Sequence, residues 1–241
     1  NFTYDTNDAL SLVAERLGPI SRATLKRIEL MLPTPDYTPN TGLFTDEDVY
    51  PFLEHLDPEE IVLTQGKHLA LSSDMDAVST LHDLLRVLHD RRQPTQGSTN
   101  PPRTRLHTLR LTPDWWQGSI PLIRLGDVAR ICPELQHLTI TIDSAAGSWP
   151  ELDAVKSGPV PSQLRSLEIS DMRPVAPGSA RLFTTEEYKT VARFLDTCFP
   201  NLVELKFKER GFGPPTQRSE DWAMIDHLRS LYQELRLRFS S

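Results

Sequence analysis

The chain has 241 residues, with 26 Lys and Arg against 33 Asp and Glu and a net charge of −7. This balance argues against a broadly phosphate-binding protein, and no run reaches the roughly 18 apolar residues of a membrane helix. Two cysteines are too few for a disulfide-stapled scaffold and fit a reducing compartment. Residues 1–20 are neither a secretory signal nor a transit peptide, so we expect a cytoplasmic or nuclear protein.

The N-terminal region, residues 1–24, predicts one amphipathic helix. Residues 7–17 carry Leu10, Leu12, Val13 and Leu17 as the apolar residues of this helix. We expect this helix to cap a repeat array that occupies residues 25–241, so that the chain forms a single domain overall.

The rest of the chain repeats the pattern Leu-x-x-Leu-x-Leu, with other residues replacing Leu at some positions. The copies are residues 25–30, 58–63, 106–111, 135–140, 164–169, 202–207 and 232–237. Apolar and polar residues alternate in the last positions of each copy, which is the period of a β-strand. The pattern therefore predicts about seven strands.

Amphipathic helices are predicted between the copies. Residues 46–56, 76–88 and 185–199 carry apolar side chains at the three- and four-residue intervals of a helix face. Thr45 and Thr184 precede acidic residues and are suitable N-caps for two of these helices.

The order strand, loop, helix, strand favours an α/β leucine-rich-repeat solenoid, with about seven parallel strands on its concave face, irregular repeats and long loops. A doubly wound α/β domain is the alternative, although its strands are usually continuous apolar runs. We expect residues 219–241 to close the C-terminal end, with residues 235–239 as an edge strand protected by its charges.

Two junctions between helix and strand carry a family resemblance. Cys132-Pro133 precedes one copy, and Cys198-Phe199-Pro200 precedes another. They resemble the cysteine-containing intracellular class of leucine-rich repeat proteins, and the long inserts resemble fungal F-box/LRR proteins. The resemblance implies a substrate receptor of a cullin–RING ubiquitin ligase. The N-terminal region lacks an F-box pattern, so a Skp-type adaptor is implied as a partner only if an F-box precedes this chain.

No catalytic, cofactor or metal site is predicted. The seven histidines show no metal-ligand spacing, and no nucleophile elbow, phosphate loop or paired-cysteine motif is present. Cys132 and Cys198 lie too far apart in the expected array for a disulfide and are predicted to be core residues. We therefore expect a protein without enzymatic activity.

Outward-facing strand positions supply the first set of candidate binding residues. Because side chains alternate across a strand, every second residue of each copy faces the concave side. Small polar groups occupy the middle of this face, and basic groups occupy its C-terminal end. The candidates are Arg110, His137, Glu168, Lys206, Lys208, Arg210, Arg236 and Arg238. A solvated face with cross-strand ion pairs remains the alternative interpretation.

The loops that follow the strands supply the second set. They are long, and Trp115, Trp116 and Trp149 lie in them. Such loops leave the same ends of parallel strands, so the tryptophans are expected on one rim, where Trp is a frequent interface anchor. The alternative is that these loops only fold back on the edge of the sheet and that their tryptophans do not contact a partner.

These features predict a non-enzymatic protein-recognition module. It would bind an acidic or phosphorylated segment of a protein partner through the concave face and the aromatic rim, because Arg and Lys pair with carboxylates and phosphates. The alternative is a nuclear or RNA-associated scaffold subunit that uses the basic C-terminal end. The net charge disfavours nucleic acid as a partner, and no membrane partner is expected.

Overall fold

A computed structural model of the chain describes residues 25–32, 53, 58–65, 77–90, 106–111, 120–145, 149–155, 160–173, 182–208 and 217–239. The chain forms two compact units, Asn1–Gly118 and Ser119–Ser241. The predicted capping helix at residues 7–17 lies outside the described residues, as does the predicted helix 46–56 apart from the buried Leu53. The single-domain organisation stays a prediction.

The first unit contains three parallel strands that follow the repeat. Its elements are β1 (Arg27–Leu32), β2 (Glu60–Gln65), α1 (Ala77–Asp90) and β3 (Thr108–Leu111). Strand β2 pairs with both β1 and β3, so that Ile28, Ile61 and Leu109 lie side by side. These residues hold the same position in three successive copies, so the copies stack in register.

Helix α1 confirms the helix predicted at residues 76–88. Leu81, Leu84, Leu85 and Leu88 are buried, while His82 between them is exposed. The three- and four-residue intervals put the leucines on one face, and burial of that face holds the helix in place.

The second unit continues the same alternation of strand and helix. Its elements are β4 (Ile120–Pro121), a 3₁₀ turn (Leu122–Arg124), α2 (Leu125–Ile131), β5 (His137–Asp143), α3 (Trp149–Ala154), β6 (Ser166–Asp171), α4 (Thr185–Cys198), β7 (Glu204–Phe207) and α5 (Gln217–Phe239). Strand β6 pairs in parallel with β5 and β7, and the short β4 pairs with β5.

The register of β5, β6 and β7 confirms the repeat pattern. Leu138 lies beside Leu167, which lies beside Leu205. The leading Leu of the β5 and β6 copies, Leu135 and Leu164, is also buried. Apolar side chains alternate inward and polar ones outward along each strand. The α/β leucine-rich-repeat fold class is therefore confirmed, with seven strands among the described residues.

Helix ends follow the predicted signals. The Thr184 side chain accepts the Glu187 N–H, and the Glu187 carboxylate accepts the Thr184 N–H, which forms a complete capping box for α4. Helices α2 and α4 end at Ile131 and Cys198, shortly before prolines of the quoted junctions. A proline cannot continue a helix, so the chain is released into the next strand.

The seventh predicted strand is wrong. Residues 232–237 lie inside α5, which runs unbroken from Gln217 to Phe239. This segment contains neither proline nor glycine and is rich in Leu, Arg, Glu and Gln, which are strong helix formers. The edge strand predicted at residues 235–239 is wrong for the same reason. The strand count still reaches seven because β4, which the sequence pattern does not predict, is present.

One side of helix α5 packs on the preceding repeat. The Trp222 ring stacks on Phe207 of β7, with 6.5 Å between ring centroids, and meets Phe183 edge-on. Arg229 is buried and donates a 2.7 Å hydrogen bond from Nη1 to the carbonyl oxygen of Leu202. Ile225 is fully buried between these two anchors.

Candidate functional site

The open face of β5, β6 and β7 brings polar side chains into cross-strand rows. The first row is His137, Ser166 and Glu204. The second row is Thr139, Glu168 and Lys206. His137, Glu204 and Lys206 are exposed, and the others are half-buried. The predicted residues His137, Glu168 and Lys206 therefore lie on one surface. We define the β5–β7 face as the side chains of these two rows together with that of Lys208.

The Glu204 carboxylate accepts hydrogen bonds from two neighbouring side chains of this face. Lys206 Nζ donates to its carboxylate at 2.8 Å, and Ser166 Oγ donates at 3.2 Å. The hydrogen bond from Lys206 holds the pKa of the Glu204 carboxyl below its usual value, and the nearby His137 acts in the same direction. Glu204 was among the outward positions of the repeat, and its two-residue spacing from Lys206 is the signal that marks the pair.

Lys208 is paired in the same way. Its Nζ lies 3.7 Å from Glu168 Oε1 across the strands. Ser170 Oγ donates to the Lys208 carbonyl oxygen at 3.2 Å and ties the end of β6 to the residue after β7. The two lysines and two glutamates neutralise one another, so the face offers exchangeable ion pairs rather than a free basic patch.

The accessible part of this face does not extend along the whole of the strands. Thr141 and Ser170 face outward by strand alternation but are buried. A ligand therefore meets the rows that begin with His137 and Thr139, together with the exposed ammonium of Lys208.

The first unit carries its own charged face. Glu60 of β2 lies 3.5 Å from Arg27 and 3.3 Å from Arg110, which come from the strands on either side. The predicted candidate Arg110 is exposed and forms one of these two cross-strand ion pairs with Glu60. Arg27 also donates to Glu29 at 2.9 Å.

The basic C-terminal end predicted on the strand face is divided between two elements. Because residues 232–237 are helical, Arg236 and Arg238 lie on α5 and not beside Lys206 and Lys208. Arg236 donates to the Pro200 carbonyl at 2.9 Å and lies 3.1 Å from Asp196. Arg238 lies 3.8 Å from Glu234 on the same helix. The expected cluster of Lys206, Lys208, Arg210, Arg236 and Arg238 on the strand face is therefore wrong for Arg236 and Arg238.

Asp196, the partner of Arg236, is half-buried between α4 and α5. Burial raises the pKa of its carboxyl, and the guanidinium groups of Arg236 and Arg229 offset part of that rise. Arg236 thus contributes to the packing of α4 against α5, and its role in partner binding stays a prediction.

The aromatic rim is only partly described. Trp149 begins α3 and is half-buried, with its ring edge-on to Phe183 at 6.3 Å and the Arg173 guanidinium over it at 5.6 Å. It therefore packs inside the second unit, as the fold-back alternative expects. Trp115, Trp116 and Arg210 lie outside the described residues, and their roles stay predictions.

A second surface feature was not predicted from the sequence. A cavity of about 380 Å³ opens beside α2 and α3 and is lined by Ile123, Arg124, Gly126, Asp127, Arg130, Glu151 and Val155. Asp127 bridges the two arginines, with 3.1 Å to Arg124 and 2.7 Å to Arg130. The cavity wall is thus charge-balanced and does not select a ligand of one sign.

Both cysteines lie in the core. Cys132 and Cys198 are not joined in a disulfide, and burial raises the pKa of the Cys198 thiol to about 12. A thiol with this pKa is not a nucleophile at neutral pH. Among the described residues no three metal-ligating side chains cluster, and no described helix is long and apolar enough to cross a membrane.

Comparison with known proteins finds similarity among solved structures. No protein-family model and no curated protein sequence matches the chain. Among solved structures it is similar to the leucine-rich repeat-containing protein LegL7 from Legionella pneumophila, with 13% identity and a TM-score of 0.43. The match covers 78% of this chain and 50% of LegL7. Similarity at this level gives no information about function. The assignment of the fold therefore rests on the register of the strands.

Proposed function

We propose that the chain is a non-enzymatic protein-recognition module that binds its partner on the β5–β7 face. The observation that supports it is the set of exposed side chains His137, Glu204, Lys206 and Lys208 on registered parallel strands. The inward residues of β5 and β6, such as Leu138 and Leu167, are buried in the core, and the polar residues point to the opposite side of the sheet. A rigid sheet holds these groups at fixed spacing, which favours selective docking.

The partner that fits this face best is an extended acidic or phosphorylated segment. Its negative groups would replace Glu204 at Lys206 and Glu168 at Lys208, since both lysines are exposed and ion pairs at a surface are weak. The displaced carboxylates and His137 would then meet donor groups of the partner. Because each new ion pair replaces an existing one, the number of ion pairs hardly changes on binding. Selectivity for a partner would therefore come from the spacing of its charged groups along the strands.

An array of synthetic acidic peptides, each with and without phosphoserine, tests this recognition. The double variant K206E/K208E is expected to abolish binding to the peptides that the unmodified chain selects. The matched variant K189E/R193E reverses two exposed basic charges on α4, outside the face, and is expected to bind normally. Equal loss in both variants, or none in either, would refute the assignment of this face.

The cellular setting implied by the family resemblance is a substrate receptor of a cullin–RING ubiquitin ligase. Affinity purification of the full-length protein, with partners identified by mass spectrometry, separates this setting from others. Recovery of a Skp-type adaptor and a cullin would support the receptor role. A stable partner without either of them would exclude the receptor role and leave the recognition module in another assembly.

A further inference from the structure

Helix α5 exposes a continuous line of large apolar side chains. Met224, Leu231 and Leu235 are 49%, 42% and 48% exposed, and the half-buried Leu228 lies between them. We call Met224, Leu228, Leu231 and Leu235 the α5 apolar row. Large apolar side chains standing next to one another on a surface are a common mark of a contact site.

The spacing of the row is that of a helix-pairing seam. Its members follow one another at intervals of four, three and four residues. This is the alternation of the two core positions in a coiled coil, which keeps one side of a helix facing a second helix. The row is separate from the side of α5 that packs on its own repeat, because Trp222, Ile225 and Arg229 supply that contact.

We propose that the occupant of the α5 apolar row is the same row of a second copy of this chain, in antiparallel orientation. An antiparallel pair places Met224 opposite Leu235 of the second copy and Leu228 opposite its Leu231. The two-fold relation repeats both layers, so each member of the row is covered once and none is left over. The row is thus self-complementary, as a two-fold interface requires.

The charges around the row favour this orientation. Glu220, His227 and Glu234 lie along its outer edge and are exposed. In the antiparallel pair His227 faces Glu234 of the second copy, and Arg238 comes beside its Glu220. In a parallel pair the Arg238 side chains of the two copies would occupy facing core positions and repel each other.

The size of the contact sets its strength. Four layers along two helices bury on the order of 1,000 Å² in total, which is near the lower limit for a specific interface. Phe239, which is 87% exposed at the end of α5, flanks the row and can enlarge the contact. We therefore expect a reversible dimer with micromolar affinity rather than a permanent one.

Sedimentation velocity of the full chain over a wide concentration range tests the proposal. A concentration-dependent dimer is expected, and L231E should weaken it by roughly tenfold or more because it places a charge in a central layer. A223E is the matched control, since Ala223 is an exposed α5 residue outside the row. Circular dichroism and thermal unfolding should show that both variants fold like the unmodified chain.

A charge exchange distinguishes self-pairing from any other contact. R238E is expected to weaken the dimer, and the double variant E220R/R238E is expected to restore it, because the opposite charges then meet again across the two copies. A chain that stays monomeric at every concentration would overturn the proposal. So would a dimer that L231E leaves intact, or one that the double exchange fails to restore.

Discussion

The indole Nε1 of Trp222 donates a 3.1 Å hydrogen bond to the carboxylate of Asp171, which lies 51 residues earlier in the chain. Both side chains are buried. The Asp171 carboxylate also accepts the Oγ–H of Ser144 at 2.7 Å and the Ser144 N–H at 3.1 Å. One carboxylate at the end of β6 thus connects the turn after β5 to the closing helix α5.

Loss of the Asp171 carboxylate is expected to lower the free energy of unfolding of the second unit substantially. D171A leaves buried donors of Ser144 and Trp222 without acceptors, at a cost of about 3 kcal/mol or more. D171N keeps an acceptor and should cost less. Urea denaturation followed by tryptophan fluorescence measures both variants.

The control for this prediction is D153A. Asp153 is an exposed α3 residue whose ion pair with Arg193 spans 3.5 Å, and its removal should cost less than about 1 kcal/mol. Equal losses for D171A and D153A would show that the buried hydrogen bonds contribute nothing beyond a surface charge.

Replacement of Trp222 separates its ring from its hydrogen bond. W222F keeps an aromatic ring near Phe207 and Phe183 but removes the donor to Asp171, so a loss of about 1 kcal/mol is expected. W222A also removes the ring and should cost about 3–5 kcal/mol. Thermal and urea unfolding of the two variants would contradict this order if both lost the same stability.

The repeating strands could be predicted because each one is a local pattern. Leu138, Leu167 and their equivalents recur at fixed spacing, and alternation alone assigns them to the core face. The same alternation misleads in residues 235–239, where apolar and basic residues alternate inside a helix. The junctions before β5 and β7 both contain a proline, whereas the segment between Trp222 and Phe239 contains none. This absence indicates that the helix continues and that no strand begins there.

The candidate site was predictable at the level of faces but not of partners. Alternation placed His137, Glu168 and Lys206 on one side of the sheet, as the structure shows. It could not show that Lys206 and Lys208 are already paired, since the lateral contact between Lys208 and Glu168 depends on the register of two strands 40 residues apart. Strand β4 was missed because two residues carry no period.

Arg229 is expected to be the most sensitive charged residue of α5. Its guanidinium donates to Leu202 O at 2.7 Å and to Asp226 at 2.7 and 2.9 Å, while its side chain is only 2% exposed. R229M leaves both acceptors unpaired and should cost roughly 2–4 kcal/mol. R229K can satisfy one acceptor at a time and should fall between R229M and the unmodified chain.

The measurement is the free energy of unfolding from urea titration, with R238M as the matched control. Arg238 is on the same helix, and its guanidinium is exposed near Glu234. A loss of less than about 1 kcal/mol is expected for this control. A tolerated R229M would mean that the anchor between α5 and the turn before β7 is dispensable.

Both cysteines are expected to be unreactive in the folded chain. Cys132 and Cys198 are buried, and the Cys198 pKa of about 12 leaves almost no thiolate at neutral pH. A disulfide reagent such as dithiobis-nitrobenzoate should therefore titrate no thiol quickly under native conditions. It should titrate both thiols after unfolding in guanidinium, and a rapid native reaction would contradict the buried positions.

The Glu204–Lys206 pair is expected to appear in the titration of the β5–β7 face. Lys206 lowers the pKa of the Glu204 carboxyl, so the pair stabilises the folded chain above the ordinary Glu pKa, and that contribution is lost as the pH falls through the lowered pKa. Carbon-detected NMR should give Glu204 a midpoint below the ordinary value of a Glu carboxyl. K206M should raise that midpoint towards the ordinary value.

Glu186 provides an internal control for this titration. Its pKa is lowered by a hydrogen bond from Lys189 on α4, which is independent of the strand face. The Glu186 midpoint should therefore stay unchanged in K206M, while K189M should raise it and leave Glu204 unaffected. If K206M moved neither midpoint, the Lys206 ammonium would not be held at Glu204 in solution. It would then meet an acidic partner as a free charge, and the ion-pair exchange proposed for docking would not be required.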